Sequence, residues 1–158
     1  MARIFLASMA LDGRGGHEAG RLLLSQLYAC HVGGPVPPIL TGPMGKPYFA
    51  DSPWQFSISH TKAHAFCVLS DAPVGLDAEE MDREIRLDLA PKILSAGELA
   101  QFRAAPDPRL ALLQFWVLKE AQAKLSGRGM KWHPTHTDFT LPDSRIQMID
   151  GCLVAIIR

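Results

Sequence analysis

Two periodicities run through this chain, and the points where one replaces the other outline its elements. Ile4 to Met9 is an apolar run of strand length, and after the breaker "LDGRGG" the stretch from Glu18 to His31 has the length and apolar spacing of a helix. "GGPVPPILTGPMGKPYF" is dense in glycine and proline and predicts loops with short extended pieces. Three strands then follow closely, "WQFSISHT", "AHAFCVLSD" and "VGLDAEE", and they are expected to form an antiparallel sheet. In the last of them, Val74, Leu76 and Ala78 point one way, and Gly75, Asp77 and Glu79 the other.

Beyond Glu80 the period turns helical. Ser95 and Glu98 stand at capping-box spacing before "LAQFRA". A longer helix is predicted from Asp107 as N-cap, with Pro108 at its first position, through "RLALLQFWVLKEAQAKLS" to a stop at Gly127. The end, "HTDFTLPDSRIQMIDGCLVAIIR", reads as strands joined by turns at Pro142-Asp143 and Asp150-Gly151. This order fits an α+β fold rather than a regularly alternating parallel sheet. The element orders of 1–73 and 74–158 are loosely similar, with the division near Pro73.

Composition narrows the classes. The chain has 158 residues, 47% of them apolar and 20% charged, which is enough for a sizeable core and argues against disorder. Sixteen basic residues balance sixteen acidic ones, so there is no overall attraction for nucleic acid or for an anionic membrane. Cys30, Cys67 and Cys152 are far apart and read as reduced and mostly buried. With no signal-peptide pattern and no apolar run of about 20 residues, the expected address is the cytoplasm.

Asp77 and Glu79, taken alone, read as the wet side of a half-buried strand. The long helix changes that weighting. At about 100° per residue, Glu120 and Lys124 fall in the sector of Leu113, Val117, Ala121 and Trp116, while Lys119 and Gln122 fall on the other side. Glu four residues before Lys is also the ordinary arrangement of a surface pair. On a helix apolar almost all round, however, it points to a buried or cleft-facing surface.

Asp77, Glu79 and Glu120 would repel one another if brought together, unless a cation lay between them. All-oxygen ligands with positions left for water and phosphate favour Mg²⁺. Lys124, one turn along, would neutralise the same phosphate. "GPMGKPYF" delivers Lys46 from a glycine-rich turn, and Pro47 forces extended backbone at that lysine. Ser59, His60 and Thr61 end a strand with three groups able to donate to phosphate. Lys46 also reads as a solvated turn lysine, and His60 as a satisfied structural histidine.

Other candidates carry less. His60 and His64 would not converge from a strand, and His133 and His136 flank a proline in a loop. "SGRGMK" is basic and glycine-rich, but a helix stop explains its first glycine. There is no Gly-x-Ser-x-Gly, Walker-type loop or dinucleotide fingerprint.

"GKPYF", "FSISHT", "VGLDAEE" and "WVLKEAQAKLSGRG", in this order and at these separations, resemble the 4′-phosphopantetheinyl transferase family, in a short version of its larger, surfactin-synthetase-activator type. The resemblance implies two similar α+β subdomains related by a pseudo-twofold, 1–73 binding coenzyme A and 74–158 carrying the metal carboxylates and the catalytic helix. It implies transfer of the phosphopantetheine arm of coenzyme A to a serine of an apo acyl or peptidyl carrier protein, with release of adenosine 3′,5′-bisphosphate. By motif, Asp77, Glu79 and Glu120 correspond to the Mg²⁺ ligands, and Lys46, Pro47, Ser59, His60, Thr61 and Lys124 to the coenzyme A contacts. Glu120, assisted by Lys124, corresponds to the catalytic group. Gly75 is expected to leave space beside the ligand, and a monomer is the expected state. The family's basic contacts to the adenosine 3′-phosphate come from before Gly45, where Arg3, Arg14 and Arg21 do not match them. The alternatives are a family member that binds coenzyme A or a carrier protein without catalysis, and a metal-dependent phosphoesterase.

Overall fold

The computed structural model describes residues 1–127 and 134–158, so the basic part of "SGRGMK" and His133 lie outside the described residues. The first sheet contains β1 (Ile4–Ala10), β4 (Gln55–His60) and β5 (His64–Ser70), antiparallel in the order β1-β5-β4. Helix α1 (Gly16–His31) covers one face through Leu23, Leu24 and Leu27, packed on Phe56, Cys67 and Leu69. A two-stranded hairpin, β2 (Ile39–Thr41) with β3 (Pro47–Phe49), occupies the glycine- and proline-rich stretch.

The second sheet is β6 (Gly75–Glu80), β7 (Ile146–Ile149) and β8 (Cys152–Ile157), antiparallel in the order β6-β8-β7. The three successive strands therefore do not share one sheet. Both edges of β5 are already taken by β1 and β4, and β6 instead lays Val74, Leu76 and Ala78 against Phe66 and Val68, on the face that α1 leaves open. Cys152 and Val154 complete this middle layer.

The outer edge of β6 needs partners because it meets protein rather than water. Ser57 and Ser59 of β4 provide them, accepting from the backbone N–H of Leu76 and of Ala78, each at 3.1 Å. Alternation in β4 makes this possible: Phe56 and Ile58 face α1, while Ser57 and Ser59 face β6.

Beyond the second sheet lie α2 (Ala90–Ile93), α3 (Ala96–Ala104) and α4 (Pro108–Ser126). Both hydrogen bonds of the Ser95/Glu98 capping box form, Asp107 accepts from the Leu110 N–H, and Gly127 ends α4 with φ +67°. Leu112, Leu113, Val117 and Leu118 bury against the second sheet's outer face, so the layers run α1, first sheet, second sheet, α4. Gly75 lies directly beneath α4. A Cβ there would come within 2.0 Å of the Ala121 carbonyl oxygen, so its missing side chain admits the helix backbone and not a ligand.

The segment before Pro142 differs from the expected strand. Its backbone is satisfied by α3 side chains: Phe139 N–H donates to Glu98 at 2.7 Å, Leu141 N–H donates to Gln101 at 2.9 Å, and Gln101 donates to the Phe139 carbonyl at 3.0 Å. With those groups paired, no neighbouring strand is required. Among the described residues, no helix is long and apolar enough to cross a membrane.

Candidate functional site

A cleft of about 360 Å³ opens between the β2–β3 hairpin, β4 and the C-terminal half of α4, lined by Lys46, Pro47, Ser57, Ile58, Glu120 and Lys124 among others. Asp77 is joined to this lining through Lys124. Lys124 Nζ donates to Asp77 Oδ1 at 3.1 Å and to the Ile58 carbonyl at 3.3 Å, and Ser59 Oγ donates to the same carboxylate oxygen at 3.2 Å. The other oxygen, Asp77 Oδ2, is buried and has no hydrogen-bond partner among the described residues. A carboxylate oxygen in that position is costly unless something else balances it.

Neighbouring carboxylates raise that cost. Burial, and then repulsion from Asp77, push both Glu79 and Glu120 above the ordinary range. Asp77 is itself raised by burial, with Lys124 pulling it back. Arg83 and the Trp116 indole hold Glu79, the latter donating to Oε1 at 3.1 Å. The guanidinium of Arg83 also lies 5.9 Å from the Trp116 ring. A divalent cation reached by Asp77 Oδ2 would relieve all three carboxylates, and an oxygen-only donor set suits Mg²⁺. The fit rests on Asp77 and Glu120 more than on Glu79. Among the described residues, the ligand atoms of these three side chains do not all lie within 4.8 Å of one another, and Glu79 is already paired with Arg83.

The residues singled out from sequence do not all meet here. Lys46 lines the cleft, but its Nζ donates to the Leu125 carbonyl at 2.9 Å, a cation at the C-terminal end of α4. Burial lowers its pKa. Pro47 starts β3 beside it. Ser59 joins β4 to β6 and Asp77 rather than facing open space. His60 is exposed on the other face of β4, against the start of α1: a Cβ on Gly16 would meet its ring at 2.2 Å. Thr61 closes the β4–β5 turn and donates to Glu80 at 2.6 Å, on the face of β6 opposite Asp77.

Some participants went unread. Ser57 had a signal, since two serines on one face of an otherwise apolar strand need partners across it. Arg83 and Trp116 had none, because their role depends on how the turn after β6 meets α4. Lys119 is fully buried, paired with Glu98 at 2.5 Å and donating to the Pro134 carbonyl and both oxygens of Thr137. The 78 positions spanning β6, α4 and most of the second sheet, residues 73–150, match the family model described as the 4′-phosphopantetheinyl transferase superfamily. A 4′-phosphopantetheinyl transferase AcpT of Escherichia coli strain K12 is 37% identical over 131 residues, covering 80% of this chain. Residues 73–150 belong to the 4′-phosphopantetheinyl transferase superfamily.

The fold is the α+β fold of that family. The 4′-phosphopantetheinyl transferase psf-1 of Bacillus pumilus is 35% identical over 91 residues, 56% of this chain and 39% of the relative. The chain spans 64% of the length of the Escherichia coli relative. Asp77, Glu79 and Glu120 all fall inside the span matched to the superfamily, whereas Lys46, Ser59 and His60 precede it.

Proposed function

We propose that this chain is an Mg²⁺-dependent 4′-phosphopantetheinyl transferase, acting on coenzyme A and on a serine of an apo acyl or peptidyl carrier protein. The observation that carries the reading is the buried Asp77 Oδ2, unpartnered among the described residues, on a carboxylate tied to Lys124, which lines the cleft with Glu120. Family membership supports the reaction class. The proposed division of labour is 1–73 for coenzyme A and 74–158 for the ion and the base.

Asp77 and Glu120 would hold the ion, with Glu79 joining directly or through water. Bound there, Mg²⁺ supplies charge neutralisation for the pyrophosphate of coenzyme A. Lys124, fixed between Asp77 and the Ile58 carbonyl, faces the same cleft and adds positive charge where the leaving phosphate gains negative charge. Lys46, which also lines the cleft, would contact a second phosphate oxygen. Glu120 accepts the proton of the carrier serine; its raised pKa brings it closer to a useful base strength at neutral pH. The serine oxygen bonds to the phosphorus bearing the pantetheine arm as the bond to the bridging oxygen breaks. Adenosine 3′,5′-bisphosphate leaves.

The test is incubation with coenzyme A, Mg²⁺ and a panel of apo carrier proteins, read by intact mass. One carrier or more should gain a phosphopantetheine. Tight coenzyme A binding with every carrier unmodified would replace catalysis by binding alone. Release of adenosine bisphosphate without a carrier would instead point to a phosphoesterase.

A further inference from the structure

The two faces of β6 carry different chemistry. Asp77 and Glu79 face α4, bonded to Lys124 and Trp116, whereas Glu80 faces the first sheet. There its Oε1 lies 3.0 Å from His64 Nδ1, and Cys152 Sγ lies 3.7 Å from the same nitrogen. One ligand atom from each of His64, Glu80 and Cys152 lies within 4.8 Å of the others, the single such group among the described residues. Each side chain is fixed by a strand end: His64 begins β5, Glu80 ends β6, and Cys152 begins β8 directly across the ladder from Glu80.

We infer that His64, Glu80 and Cys152 form a Zn²⁺ site that clamps the first sheet to the second. The spacing of the three donors carries this. Tetrahedral Zn²⁺, with bonds of about 2.0 Å to nitrogen and oxygen and about 2.3 Å to a single sulfur, separates its ligand atoms by about 3.3 to 3.5 Å. The observed 3.0 and 3.7 Å bracket that range before any adjustment. Imidazole, carboxylate and thiolate together select a borderline transition dication over Mg²⁺, so this site and the carboxylate cleft take different ions.

Access and orientation agree. The His64 and Glu80 side chains are partly exposed, at 23% and 15%, and give an entry path, while Cys152 is buried behind them. Thr61 Oγ1, donating to Glu80 at 2.6 Å, holds the carboxylate in position, and with three protein ligands water would be the fourth. In the absence of an ion the thiol is pushed up to about 12 by burial and by Glu80. Binding therefore releases the Cys152 proton to solvent. Separations of 16 and 72 residues between the ligands leave no motif to read.

The test uses Co²⁺ as a spectroscopic stand-in for Zn²⁺ on the reduced full chain. One equivalent should produce thiolate-to-cobalt charge-transfer absorption in the near ultraviolet, displaced by Zn²⁺, and Zn²⁺ should raise the melting temperature. Cys152→Ser should remove the absorption, and His64→Ala should weaken binding by more than about tenfold. Cys30→Ser and Asp77→Asn should leave the absorption intact, because Cys30 is an exposed thiol elsewhere and Asp77 lies on the other face of β6. No charge-transfer absorption at millimolar Co²⁺, or absorption that survives Cys152→Ser, would overturn the site.

Discussion

Helix α4 carries two lysine–carboxylate pairs five residues apart, and they are built to opposite ends. Lys119 and Glu98 are both fully buried, and every donor direction of the ammonium meets an acceptor: Glu98, the Pro134 carbonyl and the two oxygens of Thr137. Glu98 in turn accepts from the backbone N–H of Ser95 and of Phe139. Lys124 and Asp77 are looser, at 3.1 Å, with the lysine partly exposed and one carboxylate oxygen unpartnered among the described residues. The closed pair ties α3, α4 and the 134–139 segment together. The open pair leaves charge unbalanced beside a cleft, where a ligand can complete it.

The largest expected effect belongs to the open side. Glu120→Gln should lower the rate of carrier modification by about 10² to 10⁴-fold, the usual worth of a positioned base, without lowering the melting temperature. Wild-type turnover in that variant would remove Glu120 from the chemistry. On the closed side, Lys119→Met leaves Glu98 alone in the core and should cost about 3–5 kcal/mol in denaturant unfolding. Replacing both partners by apolar residues of similar volume should recover most of it; a single-variant loss below about 1 kcal/mol would mean that the pair is not closed.

Asp77→Asn probes the orphaned oxygen. In the wild type, Mg²⁺ at about a hundred times its dissociation constant should add about 2.7 kcal/mol of stability, and the variant should lose that gain. The pH dependence has a definite sign. Asp77, Glu79 and Glu120 all have folded pKa values raised above the unfolded ones, so their contribution to stability is greatest at acid pH. It is lost as pH climbs from the ordinary carboxylate range through the raised values. The stabilisation by Mg²⁺ should grow over the same window, measured as melting temperature against pH with and without the ion. A flat difference would separate these carboxylates from the metal. The smallest effect is expected from Ser59→Ala, about 1 kcal/mol, because it removes one donor from Asp77 and leaves the Ala78 N–H unpaired.

Much of this was legible one element at a time. The Ser95/Glu98 box, Asp107-Pro108 and Gly127 place α3 and α4 within a residue or so, because caps and stops act through bonds three or four residues away. Strand alternation placed Asp77 and Glu79 on one face and Val74, Leu76 and Ala78 on the other, since side-chain direction follows from backbone geometry alone. The helix wheel put Glu120 and Lys124 on one side of α4 for the same reason.

What the sequence determined by itself was therefore local: the elements, their ends, and which side chains share a face. Tertiary structure decided which faces meet. It moved β6 out of the sheet of β4 and β5, gave Gly75 to the backbone of α4, and turned Ser59 toward β6 and His60 toward α1. It also brought His64 to Cys152 across 88 residues, and Lys119 to Glu98 across 21. Periodicity fixes a side chain's direction relative to its own strand or helix, but its partner depends on how whole layers pack, which no short window of residues contains.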